Sequence, residues 1–254
     1  MELNIEEVKT TKHYISADLY GGNIIGVLDL DESTNQELID FLVGTTHFSG
    51  IIKLSTAKTS EQYFKKLGFV PNLNNFNYTY LTVHKELAHI ANIHGTKHIT
   101  KKVNQSLTLV GLNESYLTKR FHNLSTSERI LINIAAALLK NPDLLIIDYG
   151  LNYLNKSQRA TIFNVLKQLK KRGKIIIIFD YNLDLLFSIC NKFWHIKDNN
   201  LHSKSYILKS INQFNSKYLP TSLKFIKEYN TKTDHELKPM YELNDILKAV
   251  YRGE

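Results

Sequence analysis

Three aspartates follow apolar runs at positions where a ligand could bind. Asp148 ends the run from Leu144 to Ile147, Asp180 follows the run from Ile175 to Phe179, and Asp184 comes shortly after. The carboxyl ends of neighbouring parallel strands are where open α/β sheets bind ligands, so these carboxylates could form one site. Buried strands end in aspartate in many folds, however. The usual structural roles of such residues therefore outweigh a new carboxylate site.

A metal site is a second possibility, raised by four closely spaced histidines: His84, His89, His94 and His98. Zinc-binding histidines on one helix face lie four residues apart. Only His94 and His98 have this spacing, and Gly95 interrupts the pair. Exposed polar histidines are the favoured interpretation, and we expect no bound metal.

The elements that must position these residues alternate between strands and helices. Three short apolar runs, Ile24 to Leu28, Leu144 to Ile147 and Ile175 to Phe179, are continuous, as expected of parallel strands covered on both faces. Helical spacing follows each run and is clearest at Ile162, Val165, Leu166 and Leu169. The alternation predicts βαβ units and an open, mostly parallel sheet.

Two further segments lie outside this alternation. Between about residues 79 and 140 the sequence has helical patterns and no convincing strand, which predicts a helical insertion with helices over 83–93, 101–110 and 127–139. From His202 onward we predict a small C-terminal appendage that ends in an amphipathic piece from Tyr241 to Tyr251. The predicted division is a core of residues 1–75 and 141–201, a helical subdomain of residues 76–140 and an appendage of residues 202–254.

Composition narrows the class of protein. Of 254 residues 43% are hydrophobic, enough for a buried core, and the net charge of +8 favours anionic neighbours without choosing among them. A single cysteine, Cys190, excludes an internal disulfide framework and fits a reducing cytoplasm. No apolar run approaches the ~20 residues that span a bilayer, and the N-terminus is acidic where a signal peptide is basic. We expect contact with a membrane only through a partner.

One family resemblance covers roughly residues 20 to 201. The segment LSTSERILINIAAALLKNPDLLIIDYG, residues 124–150, resembles the signature helix and Walker B strand of ATP-binding-cassette (ABC) ATPases. GGNIIGVLDLDESTNQELIDFLVG, residues 21–44, lies where that family has the Walker A strand, loop and helix. KLGFVPN, residues 66–72, lies at the Q-loop, and residues 174–201 cover the switch strand. The resemblance implies a P-loop-NTPase-like α/β fold with an ABC-type helical subdomain.

The loop that should grip phosphate is degenerate in this sequence. A Walker A loop needs glycines whose backbone N–H groups surround the phosphates, a lysine and a magnesium-binding hydroxyl. Asn35 stands at the lysine position and Gln36 at the hydroxyl position. Three of the eight loop residues are acidic, and at ~4 Å each carboxylate would oppose a phosphate by about 1 to 4 kcal/mol. The eight residues are Asp29, Leu30, Asp31, Glu32, Ser33, Thr34, Asn35 and Gln36.

The other motif positions that the resemblance implies are altered as well. Asp148 is the only retained Walker B position, because Tyr149 replaces the catalytic carboxylate and a phenol is no base at neutral pH. Asn72 stands at the Q-loop glutamine and Tyr181 at the switch histidine. The loop that crosses the dimer interface in the family has Asn155 in place of aspartate.

A paired arrangement follows from the family pattern. Two cassettes dimerise head to tail, and each ATP lies between one Walker A loop and the other subunit's signature. Here the signature keeps Ser125 and loses both glycines, and Glu128 in the first helical turn opposes an anion. We expect no cofactor, except for ATP and magnesium held mainly by a partner and touched weakly by Ser125.

These observations predict a non-catalytic ABC-type subunit of a membrane transport complex, peripheral on the inner face of the cell membrane. The expected partners are a transmembrane permease and a second cassette, identical or different, and not nucleic acid. The ending MYELNDILKAVYRGE resembles the C-terminal helix of exporter ATPases, which indicates export. An aromatic, uncharged segment supplies the predicted docking residues, Asn74, Phe76, Tyr78, Tyr80 and Leu81, unless its aromatics cap the local core.

Two alternatives remain open from the sequence. An active ABC ATPase with divergent loops would bind nucleotide on the isolated chain. A cassette associated with nucleic acid or the ribosome would account for the positive charge. Relatives of that second kind carry long coiled coils or two cassettes, and this sequence has neither.

Overall fold

A computed structural model describes residues 1–28, 32–46, 49–72, 78, 81–233, 237–241 and 243–252, together with the side chains of these residues except Leu243 and Arg252. The strands are β1 (Glu2–Lys9), β2 (Tyr14–Tyr20), β3 (Asn23–Val27), β4 (Ile51–Leu54), β5 (Leu67–Val70), β6 (Leu144–Asp148), β7 (Ile175–Phe179), β8 (Lys192–His195) and β9 (Asn200–Ser203). The helices are α1 (Glu32–Val43), α2 (Ser60–Lys66), α3 (Val83–Ile93), α4 (Ile99–Leu109), α5 (Thr126–Leu139), α6 (Lys156–Lys171), α7 (Leu183–Ile189), α8 (Lys204–Lys209), α9 (Thr221–Lys232) and α10 (Leu243–Arg252).

The central sheet is mostly parallel, as predicted. Its strand order is β5-β6-β7-β3-β8-β9, and β9 alone in this order pairs antiparallel, with β8. Every residue of β6 and β7 is buried, which is why their sequences are continuous aliphatic runs instead of alternating ones. The α/β fold class is confirmed.

A second sheet was missed by the sequence prediction. Strands β2, β1 and β4 form an antiparallel sheet in that order, and its apolar side chains join the core on one face of the central sheet. The pairing of β1 with β2 shifts register between Ile5 and Val8, where Glu7 has a φ of 50°. This bulge interrupts the alternation of apolar residues along β1.

The central sheet separates two apolar clusters. Alternate residues of one strand, such as Ile24 and Ile25 of β3, enter different clusters. One cluster contains α1 and the antiparallel sheet. The other contains buried side chains from each of the helices α3 to α10. Helix α1 and the helices α7 to α9 therefore lie on opposite faces of the sheet.

The insertion between β5 and β6 is helical. Helices α3, α4 and α5 begin and end within two residues of the predicted ranges. Buried Val83, Leu87, Val103 and Leu107 pack α3 and α4 against α5. Outside the named strands this insertion has one isolated antiparallel bridge in its described part, between Thr82 and Arg120.

The C-terminal residues share the main core instead of forming a separate one. Ile207 of α8, Leu223 and Ile226 of α9 and Ile246 of α10 are almost fully buried in the cluster that contains α5 and α6. Strand β9 spans the predicted start of the appendage at His202. Within the described ranges, the helices are all too short or too polar to cross a membrane.

Candidate functional site

The first turn of α1 carries the described part of the divergent loop. Asp29, Leu30 and Asp31 lie outside the described residues, and Glu32 begins the helix. Asn35 is buried. The Gln36 amide donates a hydrogen bond to the Asp40 carboxylate at 2.9 Å, and the Lys12 ammonium donates to the Ser33 hydroxyl at 3.2 Å.

The retained aspartate at the end of β6 is held in a dry environment. Asp148 is 1% exposed, and its Oδ2 accepts a hydrogen bond from the Asn72 backbone N–H at 3.2 Å. Burial raises the pKa of Asp148 to about 6; the charge of Asp40 adds to this rise and the Asn72 N–H opposes it. A carboxylate with this pKa carries its charge at neutral pH against a desolvation cost.

Three of the divergent positions contact one another. The Asn35 side-chain amide donates to the Tyr149 hydroxyl at 3.3 Å, and the Tyr149 ring stacks on Tyr181 with ring centroids 4.5 Å apart and 28° between planes. Burial, followed by a hydrogen bond with Tyr181, raises the pKa of Tyr149. A neutral amide and two neutral phenols thus form one cluster at the positions where the family resemblance predicts a lysine, a catalytic carboxylate and a histidine.

The backbone of Tyr149 is unusual. Its φ is 56°, in the left-handed region that bulky side chains rarely adopt, and its N–H donates to the Phe179 carbonyl at 3.0 Å. This bond ties the residue after β6 to the end of β7. The stack on Tyr181 and the bond from Asn35 help to hold the ring in this conformation.

The signature residues form a complete helix cap. The Ser125 hydroxyl accepts from the Glu128 N–H at 3.3 Å, and the Glu128 carboxylate accepts from the Ser125 N–H at 2.7 Å, which is a capping box. Glu128 also accepts from the Tyr116 hydroxyl at 2.6 Å and from the Lys119 ammonium at 3.3 Å. The Tyr116 bond leads the causes that lower the pKa of Glu128 to about 2, with further bonds from Ser125 and Lys119. A carboxylate therefore occupies the N-terminus of α5.

Comparison with known proteins supports the family. Residues 37–152 match the family model described as ABC transporter, beginning immediately after loop residues 29–36. This part of the chain is similar to the ATP-binding domain of ABC transporters. The chain is 27% identical to the methionine import ATP-binding protein MetN 3 of Oceanobacillus iheyensis, over 98% of this chain and 75% of that protein.

Solved structures have the same fold. The ATP-binding subunit of an ABC transporter matches with a TM-score of 0.73 and 17% identity, covering 84% of this chain and 94% of its own. The structure of cbiO1 from Clostridium perfringens, described as part of the ABC transporter complex cbiONQ, matches with a TM-score of 0.68 and 17% identity over 98% of both chains. The cassette fold is therefore shown over nearly the whole chain.

Asp148, Asp180 and Asp184, the three aspartates that could have formed a new site, each accept hydrogen bonds from different residues. Asp180 accepts from the Asn152 amide and from the Asn182 N–H, the latter at 2.9 Å, and burial raises the pKa of Asp180. Asp184 instead accepts from the N–H and hydroxyl of Thr221. In the part of the chain that the structure describes, no group of three or more His, Cys, Asp or Glu could hold a metal ion.

Sequence reasoning missed the polar cluster around Asp180. Asn182 also donates to Asn152 at 2.9 Å, so the loop after β6 and the loop after β7 are joined by side-chain bonds. Asn155, at the position where the family has aspartate, caps α6 through the Gln158 N–H at 3.0 Å. The asparagines are unremarkable loop residues in the sequence, and nothing in it indicates these pairings.

The predicted docking segment of the cassette is described only in part. Asn74, Phe76 and Tyr80 lie outside the described residues. Tyr78 stacks on Phe121 at 3.5 Å, and burial raises the pKa of Tyr78 to about 12, so this aromatic side chain packs on the local core. Leu81 is 71% exposed. Of the described docking residues, Leu81 presents the larger apolar surface to solvent, and its role in docking stays a prediction.

Proposed function

We propose that this cassette is a non-catalytic subunit of an ABC transporter. The observation that carries the proposal is the contact among Asn35, Tyr149 and Tyr181. In a working site these positions supply a cation, a base and a phosphate contact. Here Asn35 donates a hydrogen bond to Tyr149, Tyr149 stacks on Tyr181, and none of the three side chains is charged at neutral pH. The cluster can neither neutralise a phosphate nor activate water.

The acidic loop supports the same proposal. In the sequence, Asp29, Asp31 and Glu32 align with the family's triphosphate-binding loop, and a like-charge contact at ~4 Å costs about 1 to 4 kcal/mol. At the opposite site of a head-to-tail pair, Glu128 occupies the N-terminus of α5 beside Ser125. Nucleotide at either site would depend mainly on the groups of a partner cassette, with Ser125 as a weak contact.

The partners follow from this assignment. We propose that one partner is a transmembrane permease and that the exposed Leu81 contributes to that contact on the inner face of the membrane. A second cassette, identical or different, supplies the ATPase activity. The relative from Oceanobacillus is named for import, which gives the export direction expected from the C-terminal helix no support. We therefore propose import.

Two measurements test the proposal. The isolated chain, titrated with a fluorescent ATP analogue and magnesium, should show no binding in the micromolar range. A complex purified from membranes should contain a permease and a second cassette, and its ATP turnover should survive Asp148→Ala in this chain. Micromolar binding by the isolated chain, or loss of turnover with Asp148→Ala in a complex that still assembles, would refute the non-catalytic assignment.

A nucleotide-binding cassette with a relocated cation is the second candidate. It is favoured by Lys12, whose ammonium lies 3.2 Å from the Ser33 hydroxyl at the start of α1, and by the retained Asp148. In that case the isolated chain binds nucleotide, and Lys12→Gln abolishes the binding, while Lys9→Gln, at another exposed lysine, leaves it unchanged.

A further inference from the structure

A cavity of about 320 Å³ lies beyond the carboxyl ends of β3 and β8. Its lining begins with Leu28, directly after β3, and His195, the last residue of β8. The edge where neighbouring parallel strands end is where open α/β sheets bind ligands. The volume is at the lower end of the range for small-molecule sites. We call this space the aromatic cavity; its rings are those of His195, His202, Tyr206, Phe214 and Tyr218.

The aromatic cavity is separate from the divergent nucleotide site. Leu28 and Tyr218 belong to the apolar cluster that contains α7 and α9, whereas Val27 belongs to the cluster that contains α1. The described lining of the cavity contains no residue of α1, and it contains neither Tyr149 nor Tyr181.

The walls are flat rings that are already ordered by contacts with one another. His202 stacks on Tyr206 with centroids 5.3 Å apart and 7° between planes, and Phe214 meets His202 edge-on at 5.1 Å. Across the lining, His195 and Tyr218 pack edge to face at 4.6 Å. Rigid aromatic rings offer stacking surfaces at little cost in conformational entropy.

The polar groups of the lining suit a neutral ligand that both donates and accepts hydrogen bonds. Burial, with the charge of His195, lowers the pKa of His202 against the opposing charge of Asp198, so His202 is neutral at neutral pH. A neutral imidazole has one N–H donor and one nitrogen acceptor. The Asp198 carboxylate is hydrogen-bonded to His195 Nδ1 at 2.6 Å. Asp198 is the only acidic residue among the described lining residues, and Gln213 adds an exposed amide.

The geometry points to a binding site for a small, flat heteroaromatic ring, such as the base of a nucleoside, in the aromatic cavity. The ring stacks against the aromatic walls, and its ring nitrogens pair with His202 and the Gln213 amide. A metal ion is a poorer occupant, because His195, Asp198 and His202 do not form a metal-ligand cluster within the described chain. The inference does not depend on whether this cassette hydrolyses ATP.

Adenosine and uridine are suitable probes, with ribose as the control that lacks an aromatic ring. The full-length chain is titrated with each while the imidazole resonances of its histidines are followed by NMR, and affinity is measured by calorimetry. We expect at least one nucleoside to bind and to shift the resonances of His195 and His202, and ribose to shift neither. If neither nucleoside shifts these resonances up to its solubility limit, or if ribose shifts them equally, the proposal is overturned.

A matched pair of variants locates the site. Tyr206 in the cavity and Tyr14 on β2 are both exposed tyrosines, at 46% and 64%, so replacing either by leucine should leave the fold intact by circular dichroism. Tyr206→Leu should weaken nucleoside binding by about fivefold or more, the lower end of what base stacking on an aromatic side chain contributes. Tyr14→Leu should leave it unchanged. The reverse pattern would place the nucleoside on the other face of the sheet and overturn the assignment.

Discussion

Replacing Asp148 by asparagine should stabilise this fold at neutral pH. The folded chain raises the pKa of this carboxyl from 3.8 to about 6, mainly through burial. Each pKa unit corresponds to about 1.4 kcal/mol, so charging Asp148 costs the folded state about 3 kcal/mol when the pH is well above 6. Asparagine keeps an oxygen that can accept the Asn72 N–H and removes the charge.

The sign of the pH dependence follows from proton binding. Between pH 3.8 and about 6 the folded chain binds more protons at Asp148 than the unfolded chain, so stability falls as the pH rises through this window. Urea unfolding should therefore show that Asp148→Asn gains about 3 kcal/mol at about pH 7.5 and roughly half of that at about pH 5. Asp245→Asn, at an exposed position of α10, is the control and should change little.

Two results would refute this reasoning. The first is a loss of stability in Asp148→Asn at about pH 7.5, or a gain that is equal at both pH values. The second concerns function: if magnesium with an ATP analogue stabilises the natural chain and not the variant, Asp148 holds a metal ion. The non-catalytic assignment would then fail.

Three further predictions concern helices that frame the site. Ser125→Ala should lower the free energy of unfolding by about 1 kcal/mol through loss of the α5 cap, and Ser125→Thr should retain most of it in the same urea assay. The fold lowers the pKa of Glu128 from 4.5 to about 2, so this carboxylate should stabilise the fold fully above pH 4.5, and the stabilisation should be lost as the pH falls through about 2. If Glu128→Gln loses the same amount of stability on acid titration as the natural chain, the prediction is wrong. Leu166→Ala should cost about 2 to 5 kcal/mol in thermal or urea unfolding, because the side chain is fully buried in α6, whereas Lys167→Ala on its exposed face should cost little.

The buried half of the fold was predictable because burial on both faces leaves a simple pattern. Strands β6 and β7 are uninterrupted aliphatic runs, so the sequence alone locates them to within a residue, and the regular apolar stripe of α6 indicates a helix between them. Strand β2 does alternate, with Ile15 and Leu19 buried, but β1 contains a bulge at Glu7 that breaks its period. The antiparallel sheet was not predicted because the bulge at Glu7 breaks the alternation of apolar residues along β1.

The family resemblance predicts the site residues one position at a time, and it does not predict the contacts among them. Alignment with the family pattern locates Asn35, Tyr149 and Tyr181 at altered positions. That they touch one another depends on how β3, β6 and β7 lie side by side, and Asn35 and Tyr149 are 114 residues apart. The left-handed φ of Tyr149 adds to this difficulty, because it directs the ring in a way that no local propensity indicates.

The shared core of the C-terminal helices constrains how this gene product can be shortened. A chain that stopped after β9 would lack Leu223, Ile226 and Ile246, and their aliphatic neighbours on α7 would be left open to water. Cellular proteases and chaperones act on such surfaces. Truncation within this tail should therefore destabilise the fold, and an affinity tag is better appended after α10 than substituted for it.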